Sequence, residues 1–149
     1  MAKYSAVTEA EVNFTTAKTV MNVTGSATAD LEVTGIGIAF DGVTSTAEPV
    51  IVRIVRTTSP PTVTACTEKA WHPPANTPIG AAGYNASGEG TKETVSLITT
   101  EVHPQGGSFV LSWPKGEGIV VPGVANAGLS IECTAAASVN CHAWIEWWE

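Results

Sequence analysis

Between Leu31 and Phe40 the chain alternates two kinds of side chain. Ile36, Ile38 and Phe40 are bulky, while Gly35, Gly37 and Ala39 leave the intervening positions nearly bare. A period of two puts these sets on opposite faces of an extended strand; a helix would scatter both around its circumference. The bare face lets another backbone or a packed layer come close. The same period returns in Val50, Val52 and Ile54 around Arg53, in Phe109, Leu111 and Trp113, and in Leu129, Ile131 and Cys133. Turn residues punctuate the runs at Asp41-Gly42, Pro60-Pro61, Gly106-Gly107, Pro114 and Pro122-Gly123. Further strand character lies in Glu11 to Phe14, Lys18 to Val23, Thr62 to Thr67, Ile119 to Val121, and Thr91 to Val102 with Val95 and Leu97 inward. About eight to ten short strands with frequent turns predict an all-β chain: a two-sheet antiparallel β-sandwich of the jelly-roll kind.

A length of 149 residues suits one domain. Residues 20–149 are expected to form it, with residues 1–19 as an N-terminal arm or a first edge strand. Hydrophobic residues make up 44% and charged residues 14%, against roughly 25% charged in an average globular protein. A charge-rich disordered chain is thereby excluded. The net charge is −7, and Arg53 and Arg56 are the only arginines, with the lysines scattered. Nucleic acid and anionic membrane surfaces are bound through clustered cations, so neither is an expected partner. No apolar run is long enough to span a bilayer, and Met1-Ala2-Lys3-Tyr4-Ser5 lacks the apolar core of a signal peptide. Cys66, Cys133 and Cys141 lack the spacing of a disulfide framework or a zinc site. They read as buried free thiols, with Cys133 and Cys141 able to pair if neighbouring strands bring them together.

Two segments stand out. Residues 68–90 carry Pro73, Pro74, Pro78, Gly80, Gly83, Gly88 and Gly90 with little periodicity, and are expected to form a long loop. Trp71 and Tyr84 within it argue against plain disorder, because large aromatics seek burial. The last run, Cys141 to Glu149, places Cys141, Ala143, Ile145 and Trp147 on one strand face and His142, Trp144, Glu146 and Trp148 on the other. A sandwich buries only one of these faces. Two tryptophans on the other would leave an apolar patch that monomers seldom tolerate. A second subunit, a bound carbohydrate, or a folded-back arm or loop of the same chain would each cover it.

Chemistry finds little support. No Gly-x-Ser-x-Gly elbow places a nucleophile, and His72 and His103 sit beside prolines as loop histidines. Cys141 and His142 are adjacent, so on a strand they point apart and cannot share a metal. Gly88-Glu89-Gly90-Thr91-Lys92 lacks phosphate-loop spacing. The chain is therefore expected to be no enzyme and to use no cofactor or metal.

Four motifs follow one another in order. They are Phe40-Asp41-Gly42-Val43-Thr44-Ser45-Thr46-Ala47-Glu48-Pro49-Val50-Ile51-Val52-Arg53-Ile54-Val55-Arg56, His103-Pro104-Gln105-Gly106-Gly107, Trp113-Pro114-Lys115-Gly116-Glu117, and Thr134-Ala135-Ala136-Ala137-Ser138-Val139-Asn140 before the aromatic last strand. Across residues 20–149 this order resembles a family of small virion proteins of tailed bacteriophages. The resemblance implies a tumour-necrosis-factor-like jelly roll, a homotrimer, and a place on the virion as a capsid decoration protein bound to the major capsid protein. It also implies synthesis in the host bacterial cytoplasm and brings no catalytic residues. In that setting Trp144, Trp148, His142, Trp71 and Tyr84 are the expected subunit or capsid contacts. The alternatives are a tail or fibre host-recognition module and a carbohydrate-binding β-sandwich.

Overall fold

The computed structural model describes residues 1–43, 46–72 and 77–149. In chain order its strands are β1 (Lys3–Val7), β2 (Val12–Phe14), β3 (Lys18–Thr24), β4 (Leu31–Phe40), β5 (Val50–Ser59), β6 (Thr62–Ala65) and β7 (Lys69–Ala70). They continue with β8 (Ala81–Gly88), β9 (Thr91–Lys92), β10 (Ile98–Val102), β11 (Ser108–Ser112), β12 (Ile119–Val121), β13 (Gly128–Thr134) and β14 (Val139–Trp148). Four of these have only two or three residues; the other ten match the number that turn spacing predicts.

Two antiparallel sheets form a sandwich. The first runs β11-β4-β14-β1-β7, with β12 also on β4 and β2 also on β14. The second runs β10-β5-β13-β3-β8-β6, with β9 also on β5. Along the chain the eight principal strands are β1, β3, β4, β5, β10, β11, β13 and β14. The first, eighth, third and sixth of them lie in one sheet, and the second, seventh, fourth and fifth in the other. Successive strands thus hop between sheets at every step except from the fourth to the fifth, which pair with each other, and this is the jelly-roll order.

The core follows the alternation. Ile36, Ile38 and Phe40 of β4 point inward, as do Val50, Val52 and Ile54 of β5 and Leu129, Ile131 and Cys133 of β13. Strand β14 alternates along its whole length, with Cys141, Ala143, Ile145 and Trp147 inside. Trp147 has no exposed surface, and its ring stacks on Tyr4 at a centroid distance of 6.0 Å. All three cysteines are free and buried, so Cys133 and Cys141 do not pair.

Three expectations are corrected. First, of the two forms expected for residues 1–19, the strand is present and the arm is not: β1 pairs with β14 from Lys3↔Trp148 to Val7↔Trp144, pairs with the short β7 on its other side, and buries Tyr4 and Ala6. The sequence left the two open because the partner strand lies at the far end of the chain. Second, residues 68–90 are not one loop, because β8 extends the second sheet beside β3 and β6 pairs with β8. Its Ala- and Gly-rich sequence lacks alternation because close packing, not bulk, fills the space. A side chain at Gly83 would overlap Val63 on β6. Pro73 and Pro74 of that segment lie outside the described residues. Third, Thr91 to Val102 is not one strand with Val95 and Leu97 inside. Strand β9 ends at Lys92, and Val95 is 78% and Leu97 44% exposed.

A charged layer holds the β8–β9 connection over the second sheet. Glu132, almost fully buried on β13, accepts from Arg53 Nη1 at 2.7 Å and Lys92 Nζ at 2.5 Å. Lys92 also pairs with Glu89, which accepts from the Thr19 backbone N–H at 2.8 Å and from its hydroxyl at 2.5 Å. Such pairs are weak evidence of net stability, but removing one partner strands the others.

Candidate functional site

The outer face of the first sheet carries the clearest surface feature. Registers align Val7, Trp144, Gly37 and Val110 directly across β1, β14, β4 and β11. Val7 is 52% and Val110 58% exposed, and Trp144 lies half-buried between them. The bare positions of β4 are what keep Trp144 flat. A Cβ at Gly37 would meet its indole, with Cζ2 only 2.7 Å away, and a Cβ at Gly35 would meet Glu146. Glycine alone admits these two side chains from the neighbouring strand.

Polar groups border this apolar row. Glu146 accepts from Lys3 Nζ at 2.9 Å. His142 is exposed, and its Nδ1 lies 3.0 Å from Thr8 Oγ1, which accepts the Ala143 N–H at 3.2 Å. The Nε2–H tautomer lets the Thr8 hydroxyl donate to Nδ1 and leaves Nε2–H pointing away from that bond. Next to this pair, Ala39, Val110 and Trp144 help to line a shallow cavity of about 230 Å³.

The expected contact residues fall in different places. Trp144 and His142 share this face. Trp148 is also half-buried on it, with Lys115 Nζ 4.7 Å from its ring centroid. Trp71 is 55% exposed at the far edge beside β7, with Lys3 Nζ 4.5 Å from its ring. Tyr84 is corrected: at 8% exposure it belongs to the core on β8 and presents no contact surface. Val7 and Val110 were missed. Each is a lone valine in its own segment, and only strand pairing lines them up with Trp144.

Thiol and histidine positions offer no reactive pair. Burial pushes the Cys66 and Cys141 thiols up to about 12 and the Cys133 thiol well above its ordinary value. His103 Nδ1 accepts the Gln105 N–H at 3.1 Å, which serves the turn after β10. Among the described residues no three His, Cys, Asp or Glu side chains are grouped to hold a metal ion, and no helix is long and apolar enough to cross a membrane.

No family model matches the chain, and no curated protein matches it. A search of solved structures returns the structure of infectious bursal disease virus Gx strain at 10% identity and a TM-score of 0.15. That match covers 97% of this chain, which spans 38% of the viral chain's length. A likeness this low carries no argument about fold or function.

Proposed function

We propose that this chain is a non-enzymatic structural protein of a bacteriophage virion, a head decoration protein that binds the capsid exterior as a symmetric trimer. The observation that carries this reading is the apolar row Val7–Trp144–Gly37–Val110 on the open face of a jelly-roll sheet. Apolar surface of this kind, bordered by His142, Lys3 and Glu146, is characteristic of an interaction site. Contact of this face on one copy with a different surface of the next copy is heterologous, and such contacts close into rings when the rotation permits. The ordered motifs, which resemble those of small tailed-phage virion proteins, supply the setting. Repeated contacts along a shell then stabilise it without chemistry.

Size-exclusion chromatography with light scattering tests the association. A mass near three times 15.4 kDa is expected, and Trp144→Ala or Val110→Ser should lower it while circular dichroism stays unchanged. Sedimentation with expanded phage shells then tests capsid binding. A monomer that binds glycan saturably, and leaves shells bare, would replace this reading with a carbohydrate-binding or host-recognition module.

A further inference from the structure

A second cavity, of about 530 Å³, lies away from the Trp144 face, at the end of the sandwich where β5, β12 and the β12–β13 turn meet. Its size falls within the roughly 300–1,000 Å³ range of small-ligand sites. Val120, Pro122, Val124 and Ala127 make its wall largely apolar, and Val124 is 60% exposed with nothing covering it. Arg56 supplies its only cation. This residue continues the inward phase of Val50, Val52 and Ile54 and reaches the opposite sheet, where Nη1 donates to the Val120 carbonyl at 2.5 Å. That carbonyl fixes the guanidinium at the cavity and leaves most of its donors unused.

The contrast with Arg53 is informative. Arg53 is paired with Glu132, whereas Arg56 has a neutral partner in a chain with 14 acidic residues. Glu93 also lines the cavity, and its backbone N–H bonds to the Arg56 carbonyl. Among the described residues no ion pair joins the Glu93 carboxylate to Arg56.

We infer that this cavity binds an apolar carboxylate, with its aliphatic or aromatic body on the Val120–Pro122–Val124 wall and its carboxylate on Arg56. A guanidinium held by a carbonyl is preorganised for bidentate carboxylate binding. Such a ligand is either a free carboxylic acid or the terminus of a peptide ending in an apolar residue. The inference is independent of capsid attachment and of the Trp144 face.

The test is an amide ¹H–¹⁵N titration of the full chain with 3-phenylpropionate and hexanoate, each against its carboxamide. A second arm uses a tripeptide ending in leucine, with a free or an amidated terminus. Saturable shifts are expected at the Arg56–Thr58 and Val120–Gly128 segments, with each acid binding about tenfold or more tightly than its amide. Arg56→Gln should erase that preference, and Ala125→Phe, at an exposed rim position, should block acid and amide alike while the remaining amide spectrum stays native. Tighter binding of the tripeptide assigns the site to a chain terminus, and tighter binding of the simple acids assigns it to a free metabolite. Equal affinity of acids and amides, an unchanged preference in Arg56→Gln, or shifts centred on His142 and Trp144 would overturn the inference.

Discussion

Replacing Gly37 with alanine adds a single methyl group under the Trp144 indole. Gly37 lies in regular strand β4 and not at positive φ, so the backbone accepts alanine without strain. The cost arises across the strand. The new Cβ would overlap Trp144 Nε1 and Cε2 outright and sit 2.7 Å from Cζ2, whereas carbon atoms pack at about 3.5–4.0 Å. The ring must therefore lift by about an ångström or more from a face it now covers. Overpacking of this kind costs about 1–3 kcal/mol. The smaller entropy of an unfolded alanine chain returns about 0.4–1 kcal/mol. Gly37→Ala should thus destabilise by up to about 2.6 kcal/mol, a fall in Tm of several degrees at most for a domain this size. In a Trp144→Ala background the obstacle is absent, and the same substitution should become neutral or stabilise by up to about 1 kcal/mol. Urea unfolding of the four proteins in this double-mutant cycle measures the coupling. Effects that add to within about 0.5 kcal/mol would refute the packing of Trp144 on Gly37. They would also remove the reason for that side chain's position in the proposed interface.

Other outcomes follow from burial and charge. Trp147→Ala, at a site with no exposure, should cost about 3–5 kcal/mol. Trp148→Ala, half-buried under Lys115, should cost clearly less, and equal losses in urea unfolding would contradict the assigned faces of β14. Burial raises all three thiols above the ordinary value of about 8.5. Their contribution to stability is therefore complete below that pH and declines as pH rises from there toward about 12 for Cys66 and Cys141. A disulfide reagent at pH 8 should label none of them until urea is added, and rapid labelling of the native chain would contradict their burial. At the acid end, burial works to raise the Glu89 carboxyl, but the bonds from Lys92 and Thr19 hold it below its ordinary value. Hydrogen bonds from Thr67 lower Glu9, and the Val43 backbone N–H lowers Asp41. These contributions are present above the unfolded carboxylate pKa of about 4 and are lost as pH falls through the lower folded values. Glu89→Gln should flatten the acid limb of an unfolding series from pH 7 to pH 2, and stability that rises on acidification below pH 4 would contradict the assignment.

Alternation is a local property, and wherever it was strong the sequence was legible. The inward faces of β4, β5, β13 and β14 can all be named from the spacing of bulky residues. The opposition of Trp147 to Trp144 and Trp148 follows from the same spacing. Segments without it were not legible. Strand β8 is made of small residues that pack closely on β3 and β6, so no bulky pattern announced it. Val95 and Leu97 had suitable spacing but no sheet to turn toward.

The proposed sites divide in the same way. Trp144 and His142 were visible in one continuous strand, whereas Val7 and Val110 join them only because β1 and β11 pair into the sheet on either side. Along the chain Arg56 shares the inward phase of β5 and Arg53 does not, but nothing there tells which of them meets an anion. The tertiary structure pairs Arg53 with a carboxylate and gives Arg56 only a carbonyl beside an apolar cavity. By itself, then, the sequence determined the class of fold and which face of each regular strand is buried, because these depend on neighbours two residues apart. The tertiary structure decided which strands lie side by side, which surface is left apolar and which cation is left without an anion. Those depend on residues brought together from distant parts of the chain.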